Sequence, residues 1–532
     1  MKKLYMVATT FLGCLAFQNV IAQLVINGAT LFLESGAVVS VQGNLTSTSD
    51  IQGTGKVVMN GTSVQEINMN GNTIPNLEIN NSSNVTLGGD TRVSGLLEFT
   101  NGRILAGGND FILASSATFT GAGAGKYVET NGIGEVRKEV AAGGSYVLPI
   151  GKSDVYMPME YALAGNTFGA GAYVAGQVVA NPHPNKPIRS EDYLTAFWRP
   201  TLNAVTGGTV NVTTSYADAN SFNGSEAMLN GLRWDGTNWS LAGNTINTAA
   251  NSVTYNGIAS GNELYAMNKF VYATGKVFLQ GAFNTGTNKM NDNLRAGTNL
   301  IPTTDPYRSA PYSTTFTHNN NAVAEAIDPM VFSNQAIDDN NIVDWVFLEL
   351  RNTSYGLVQT RSALVQKDGD IVEVDGVNPV YFKNLDAGDY VLTVRHRNHL
   401  GIAADAATFA KSLSVATPSE PNSFNFTTAT DAQIFGTSNA YNVTNGRNLM
   451  WGGNANSNAN VRYTGLANDK DAILLNALGN NPTTVLSNVY HPADLNMNRV
   501  VRYTALGNDK DFLYINVLAS TPTNVRTQAI PN

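Results

Sequence analysis

The stretch Leu77-Glu78-Ile79-Asn80-Asn81, followed by Val85-Thr86-Leu87, decides the fold, because its pattern returns as Leu97-Glu98-Phe99 with Asn101 and Leu105. A 20-residue register runs outward from it, from about Leu24 to Gly125. Ala37, Val57, Leu77, Leu97 and Ala117 form one apolar column, and Val39, Met59, Ile79, Phe99 and Phe119 a second, two places on. Residues two apart share one side of a strand, and a fixed period stacks each coil on the last. Val85 with Leu105, and Val93 with Leu113, extend the register to the other sides of a coil, while Asn81 with Asn101 and Asp90 with Asp110 mark its turns. The expected structure over 23–126 is a short parallel β-solenoid of about five coils. Glu78 and Glu98 then fall on one outward column. Stacked acids of that kind suit a shared cation or sugar hydroxyls, as in β-helical polysaccharide lyases, but exposed Glu is the ordinary occupant of a surface strand.

The chain opens with Lys2 and Lys3, an apolar run from Leu4 to Phe17, and Val20-Ile21-Ala22. That layout predicts a secretory leader over 1–22, cleaved before Gln23, with an apolar core shorter than the roughly 20 residues of a membrane span. No later stretch is long and apolar enough to span either. The single cysteine, Cys14, leaves with the leader, so no disulfide or cysteine metal site is expected in the mature chain. Formal charge is −8 overall, and losing Lys2 and Lys3 makes it more negative. An acidic chain lacks the basic footprint of a phosphate-backbone binder, which argues against a nucleic-acid partner. Charged residues make up 14%, well under the ~25% of average proteins. Asn, Gly, Ser and Thr take their place and predict many short strands joined by tight turns.

After Gly125 the period is lost. Short runs such as Met157 to Leu163, Tyr173 to Ala180 and Thr209 to Tyr216, divided by Gly, Pro or Asn, predict a β-sandwich over 127–268. Trp234-Asp235-Gly236-Thr237-Asn238-Trp239 reads as a hairpin, with an aromatic sugar platform as the functional alternative. A second sandwich is expected over 269–416. It holds Val394-Arg395-His396-Arg397-Asn398-His399-Leu400-Gly401, where two histidines three apart suit metal ligation, although no third ligand stands nearby. The plainer reading is a strand end whose Arg and His hydrogen-bond at a domain corner. Lys367-Asp368-Gly369-Asp370 and Val374-Asp375-Gly376 read as Asp-Gly turns, with calcium as their functional alternative. Residues 417–446 are polar, carry Pro418 and Pro421, and read as a linker.

The clearest repeat lies in 447–532. Asn454, Asn456 and Asn458 precede Val461-Arg462-Tyr463-Thr464 and Asn468-Asp469-Lys470-Asp471; forty residues later Asp494, Asn496 and Asn498 precede Val501-Arg502-Tyr503-Thr504 and Asn508-Asp509-Lys510-Asp511. Oxygens at alternate positions, closed by a later carboxylate, suit Ca2+. The expected ligands are Asp494, Asn496, Asn498, Asp509 and Asp511 in the second copy, and Asn454, Asn456, Asn458, Asp469 and Asp471 in the first. A short helix follows each loop, with Ile473, Leu474, Ala477 and Leu478 matching Leu513, Tyr514, Val517 and Leu518 as its apolar stripe. The sixth loop position, usually Gly, is Ala459 or Arg499.

Asp344-Trp345-Val346-Phe347-Leu348-Glu349-Leu350-Arg351, Arg361-Ser362-Ala363-Leu364 and the Arg395 to Gly401 stretch resemble a module of hemagglutinin-like secreted proteins of the Bacteroidetes. The solenoid wording is similar to their N-terminal regions, and the duplicated tail resembles their dockerin-like ending. The resemblance covers most of the chain. It implies an all-β protein: a solenoid, two sandwich-like domains and a dockerin-like loop-helix repeat. It also implies an extracellular or outer-surface location, and an adhesin or scaffold role in a group where such proteins serve gliding motility. No catalytic residue is carried by it. No type IX sorting domain is evident after the tail, which leaves the export route open. A non-enzymatic protein docking another surface protein through 447–532 is the expected function. A glycan-binding or polysaccharide-degrading protein is the alternative.

Overall fold

The computed structural model describes residues 23–531 apart from 188–189, 218–220, 244, 274, 334–337 and 414–422. The leader read at 1–22, with Cys14, lies outside the described residues. Strand outweighs helix by 43% to 8%, so the chain is all-β. Among the described residues no helix is long and apolar enough to cross a membrane. The chain forms two compact units, one of Met1–Lys186, Asp192–Gly236 and Ala242–Met267, the other of Pro187–Glu191, Thr237–Leu241 and Asn268–Asn532.

The first unit begins as a β-solenoid of about 6 turns. One face stacks Leu24–Ile26, Leu45–Ser47, Gln65–Asn68, Val85–Leu87, Ile104–Leu105, Val128–Glu129 and Ile150–Lys152 in parallel. A second stacks Val38–Val41, Lys56–Met59, Leu77–Asn80, Leu96–Asn101 and Thr118–Thr120. Val57, Leu77, Leu97, Met59, Ile79 and Phe99 fill the space between faces and are buried. Each such aliphatic contributes about 1.5–3 kcal/mol by leaving water. Turn side chains brace neighbouring coils: Asn76 Oδ1 accepts from Leu96 N at 2.7 Å, Asp90 Oδ1 from Asp110 N at 2.8 Å, and Asp110 Oδ1 from Glu135 N at 2.9 Å. These bonds satisfy backbone donors that the turns leave over.

The central register is the one expected: Val57 pairs with Leu77, Leu77 with Leu97, and Val93 with Leu113. The outer coils differ. Val39 pairs with Val57 rather than Met59, and Leu97 with Phe119 rather than Ala117. A slip of two residues keeps every inward side chain inward, so the apolar pattern alone does not detect it. Val85 pairs with Ile104 rather than Leu105, after an irregularity between Phe99 and Asn101.

The solenoid does not stop at residue 126. Val128, Val136 and Ile150 still pair in parallel with preceding coils, so 127–268 does not begin as a separate domain. The change comes where Val136–Glu139 meets Thr167–Val179 antiparallel, and Phe197–Thr206 follows on the same sheet. A second antiparallel sheet orders Gly144–Leu148, Met159–Ala164, Thr209–Ser215, Ser252–Tyr255 and Thr245–Asn247. A Cβ on Gly176 of the first sheet would lie 2.8 Å from Met159 Sδ, which shows how closely the two pack.

The second unit is built on an antiparallel sheet whose central strand, Ile342–Asn352, is flanked by Leu357–Gln366 and Gly388–His396. The central strand is buried from Ile342 to Arg351. Its core takes in Phe278, Tyr307, Phe316 and Ile327 on one stretch of chain, and Phe424, Phe426, Ile434 and Leu449 on another. The segment read as a linker is therefore, from Ser423 onward, part of the core; its apolar residues are spaced through polar sequence and escape a composition argument. Met497 of the tail belongs to the same core, so 447–532 packs as part of this unit.

Candidate functional site

In the duplicated tail, loop strands pair across copies. Asn460–Arg462 of the first copy pairs with Val525–Thr527 after the second, while Val485–Ser487 after the first pairs with Val500–Arg502 of the second. The hydroxyls of Thr464 and Thr504 donate to Pro522 O and Pro482 O, both at 3.1 Å. Each loop enters a short helix whose start is capped, Asn468 Oδ1 accepting from Asp471 N and Asn508 Oδ1 from Asp511 N. Ile473, Leu478, Leu513, Val517 and Leu518 form the buried stripe.

Three of the expected ligands are buried carboxylates. Asp469 takes Ala455 N and Arg462 N at 2.8 and 2.9 Å, and Asp509 takes Leu495 N and Arg502 N at the same distances. Asp494 takes Asn498 N and Arg499 N at 3.0 and 2.9 Å. None forms an ion pair within 4 Å among the described residues. Burial pushes Asp469 up to about 7 against the pull of its N–H donors. Burial raises Asp494 to about 6, partly opposed by the Arg397 charge. Burial, and then the neighbouring Asp494 charge, push Asp509 well above the carboxylate range. Lone buried carboxylates of this kind ionise at a cost unless a cation joins them.

The amide positions match between copies except at Asn454. Asn456 and Asn496 donate to Ala467 O and Gly507 O, and their Oδ1 atoms accept from Asn458 N and Asn498 N. Asn458 and Asn498 cap Asn460 N and Val500 N. Asn454, standing where copy two has Asp494, donates to Asn458 O at 2.7 Å, but its Oδ1 is buried without a hydrogen-bond partner. An oxygen-rich loop with an orphan acceptor and an uncompensated carboxylate fits a hard cation. Asp471 and Asp511 stand apart from this arrangement at the helix starts: the Asn468 amide and then Lys470 hold the Asp471 carboxyl low, and Lys510 and then the Asn508 amide hold Asp511 low. Arg499, at the usual glycine position, adopts a left-handed φ of 76°. Its guanidinium is anchored by Thr298 O at 3.0 Å and by Ala296 O.

The tail is held by the His396–His399 turn. Asn398 O accepts from Asn454 N at 3.1 Å, Arg397 O from Ser457 Oγ at 2.7 Å, and Asp494 O from Asn398 Nδ2 at 2.7 Å. Arg397 itself is fully buried. It donates to Asp344 Oδ2 at 2.9 Å and His491 O at 2.5 Å, with its guanidinium 4.4 Å from the Tyr490 ring centroid. Asp344 also accepts from Tyr490 Oη at 2.7 Å and contacts His396 Nε2 at 3.1 Å. Burial would raise Asp344, but Arg397 and the His396 and Tyr490 hydrogen bonds outweigh it and hold the carboxyl at about 2.

The two histidines have assigned work. Gly281 N donates to His399 Nε2 at 3.0 Å, which places the His399 proton on Nδ1, 2.8 Å from Asn398 Oδ1 and 3.0 Å from His396 Nδ1. His396 in turn directs its Nε2 proton to Asp344. Burial pushes both imidazoles down, so both rings are neutral and each lone pair is already used. The pair is a structural junction instead of the metal site their spacing allows. The Asp-Gly turns form, with Gly369 at φ 94° and Gly376 at φ 75°. Their acids are engaged by Lys276 and by the Val377 and Asn378 backbone. Trp239 is 2% exposed, which closes it as a sugar platform. On the solenoid, Glu78 and Glu98 do stack, bridged by Lys56 Nζ at 2.5 and 3.0 Å.

One group escaped the sequence reading. Asp305, His318 and Glu325 bring ligand atoms within 4.8 Å of one another; their spacing matches no metal motif. No protein-family model, curated protein or solved structure matches this chain.

Proposed function

We propose that this protein is a non-enzymatic surface scaffold or adhesin that docks another surface protein through residues 447–532, with Ca2+ held by the paired loops. One observation carries the docking reading. Leu466 and Leu506, at equivalent places in the two copies, are 91% and 95% exposed. The matched pairs Leu475 with Ile515 and Val485 with Val525 are also exposed. Apolar side chains kept outward in both copies are the composition of a protein contact surface. The likeness to hemagglutinin-like secreted proteins, with their adhesive and gliding-motility roles and outer-surface location, supports the same reading.

Capture from membranes of the source cells with the full chain tests it. A defined protein retained by the wild-type chain, and lost with Leu466→Ser and Leu506→Ser together, is expected. Identical capture by both chains refutes docking through the tail, and turnover of a polysaccharide by the purified protein refutes the scaffold reading. For Ca2+, terbium luminescence on the full chain is expected to fall with Asp494→Asn and Asp509→Asn. An absence of signal in the wild-type chain removes calcium.

A glycan-binding reading has one observation of its own. A groove of about 430 Å³ in the first unit is lined by Arg137, Glu139, Phe168 and Tyr173, within the size range of small-ligand sites. Binding of a mono- or disaccharide that Phe168→Ala abolishes is the outcome that favours it.

A further inference from the structure

We propose that Asp305, His318 and Glu325 form a binding site for a divalent transition ion of the zinc class, distinct from the tail loops. An imidazole nitrogen with two carboxylates is the donor set of Zn2+ or Mn2+ and is poorly suited to Ca2+, which takes oxygen ligands. Asp305 and Glu325 are buried and His318 is partly buried.

A second observation points to a missing ligand. Glu325 Oε2 is buried and has no hydrogen-bond partner, with Arg308 Nη2 3.8 Å away, while its other oxygen accepts from Asn321 Nδ2 at 2.7 Å and Arg361 Nε at 2.8 Å. An orphaned buried carboxylate oxygen is costly, and native structures rarely keep one without a reason. Beside it lies a cavity of about 20 Å³, bordered by Glu325 and Gln359. That is room for a single water. Gln359 is 3% exposed, and its Oε1 also lacks a partner. Three protein ligands leave a divalent ion with open positions, and a metal-bound water is a hydrogen-bond donor.

The ligands are already held by their neighbours. Tyr307 N fixes Asp305 Oδ1 at 2.9 Å. Arg308, anchored on Asn321 O and Val323 O, stands 3.2 Å from Asp305 Oδ2. Arg361 is held between Glu325 and Glu373. Outer contacts of this kind set ligand geometry at metal centres. His318 Nε2 lies 2.9 Å from Asp305 Oδ2, so an arriving ion displaces the proton shared there and takes the Nε2 lone pair. The site also has a structural use. Between Lys289–Met290 and Ile342–Asn352, the described residues hold short 3-10 turns and a bridge of Thr304 with Ala326. An ion gripping 305, 318 and 325 adds a side-chain tie to that bridge and draws in the intervening His318 without a disulfide.

Equilibrium dialysis of the purified full chain against Zn2+ or Co2+, with metal analysis, tests the proposal. One ion per chain is expected, with a melting temperature that rises with Zn2+ concentration. His318→Gln and Glu325→Gln are each expected to weaken binding at least tenfold. Asp494→Asn with Asp509→Asn is expected to leave it unchanged, which separates this site from the Ca2+ loops. His318 is only partly buried, so His318→Gln decides the matter should Glu325→Gln fail to fold. The proposal is overturned if the wild-type chain binds none of Zn2+, Co2+ or Mn2+, or if His318→Gln binds as tightly as wild type.

Discussion

Replacing Arg397 by Met tests the junction that joins the tail to the sheet. The substitution keeps most of the stem volume and removes the guanidinium. Three things are lost. The charge-assisted bond to Asp344 is worth about 1.5–3 kcal/mol, and the bond to His491 O about 1 kcal/mol. The desolvated contact over Tyr490 adds on the order of 1 kcal/mol. Asp344, fully buried, is left with a charge and no counter-charge, and breaking a buried pair in this way costs about 3–5 kcal/mol in all. In urea unfolding this should appear as a lower midpoint. Hydrogen exchange should speed up across 447–531, where the Arg397 turn holds the loops. Asp344→Asn combined with Arg397→Met should cost about 2 kcal/mol less than the sum of the single changes. Acid behaviour supplies a second readout. A carboxyl held at about 2 stabilises the fold fully above its unfolded value of about 4 and loses that contribution as pH falls through about 2. In Arg397→Met the acid limb should move to higher pH. A destabilisation below about 1 kcal/mol, with unchanged exchange in the tail, would refute the assignment of Arg397 as its anchor.

The tail acids carry the opposite sign. With Asp469 raised to about 7 and Asp494 to about 6, stability in chelator should be complete below about pH 4 and decline as pH rises through 6–7. Calcium should restore it at neutral pH, and a flat profile in chelator would contradict the burial argument. Ile79→Ala, at a fully buried solenoid position, should cost about 2–5 kcal/mol by thermal unfolding. Gly102 has φ 81°, and a Cβ there would lie 1.9 Å from Asn81 O, so Gly102→Ala should cost more than about 1 kcal/mol. Lys56→Met should change stability by about 1 kcal/mol, with the effect fading in high salt, because the Lys56 bridge to Glu78 and Glu98 lies half-buried at the surface.

Repetition made the solenoid and the tail legible. Columns such as Val57, Leu77 and Leu97 carry period and face together, and the tail copies keep one register throughout. Boundaries were harder. The solenoid continues through Val128, Val136 and Ile150 after its period is lost, because backbone pairing tolerates coils of unequal length. The buried loop carboxylates Asp469, Asp494 and Asp509 could be picked out from spacing, since each bonds to backbone within its own loop. Asp471 and Asp511 could not be separated from them, because a helix-start carboxylate and a loop carboxylate look alike in one dimension. The Asp344, His396 and Tyr490 contacts join three distant segments. Asp305, His318 and Glu325 meet only through the path of an irregular connection. Such convergence is a property of the folded chain.

The crossed pairing of the tail makes its two halves interdependent in time. Among the described residues, strand Asn460–Arg462 finds its partner only in Val525–Thr527, so during synthesis the first half waits, edge uncovered, until the second has emerged. Removing the chain from Val525 onward would reopen that edge, however well the intervening residues had folded.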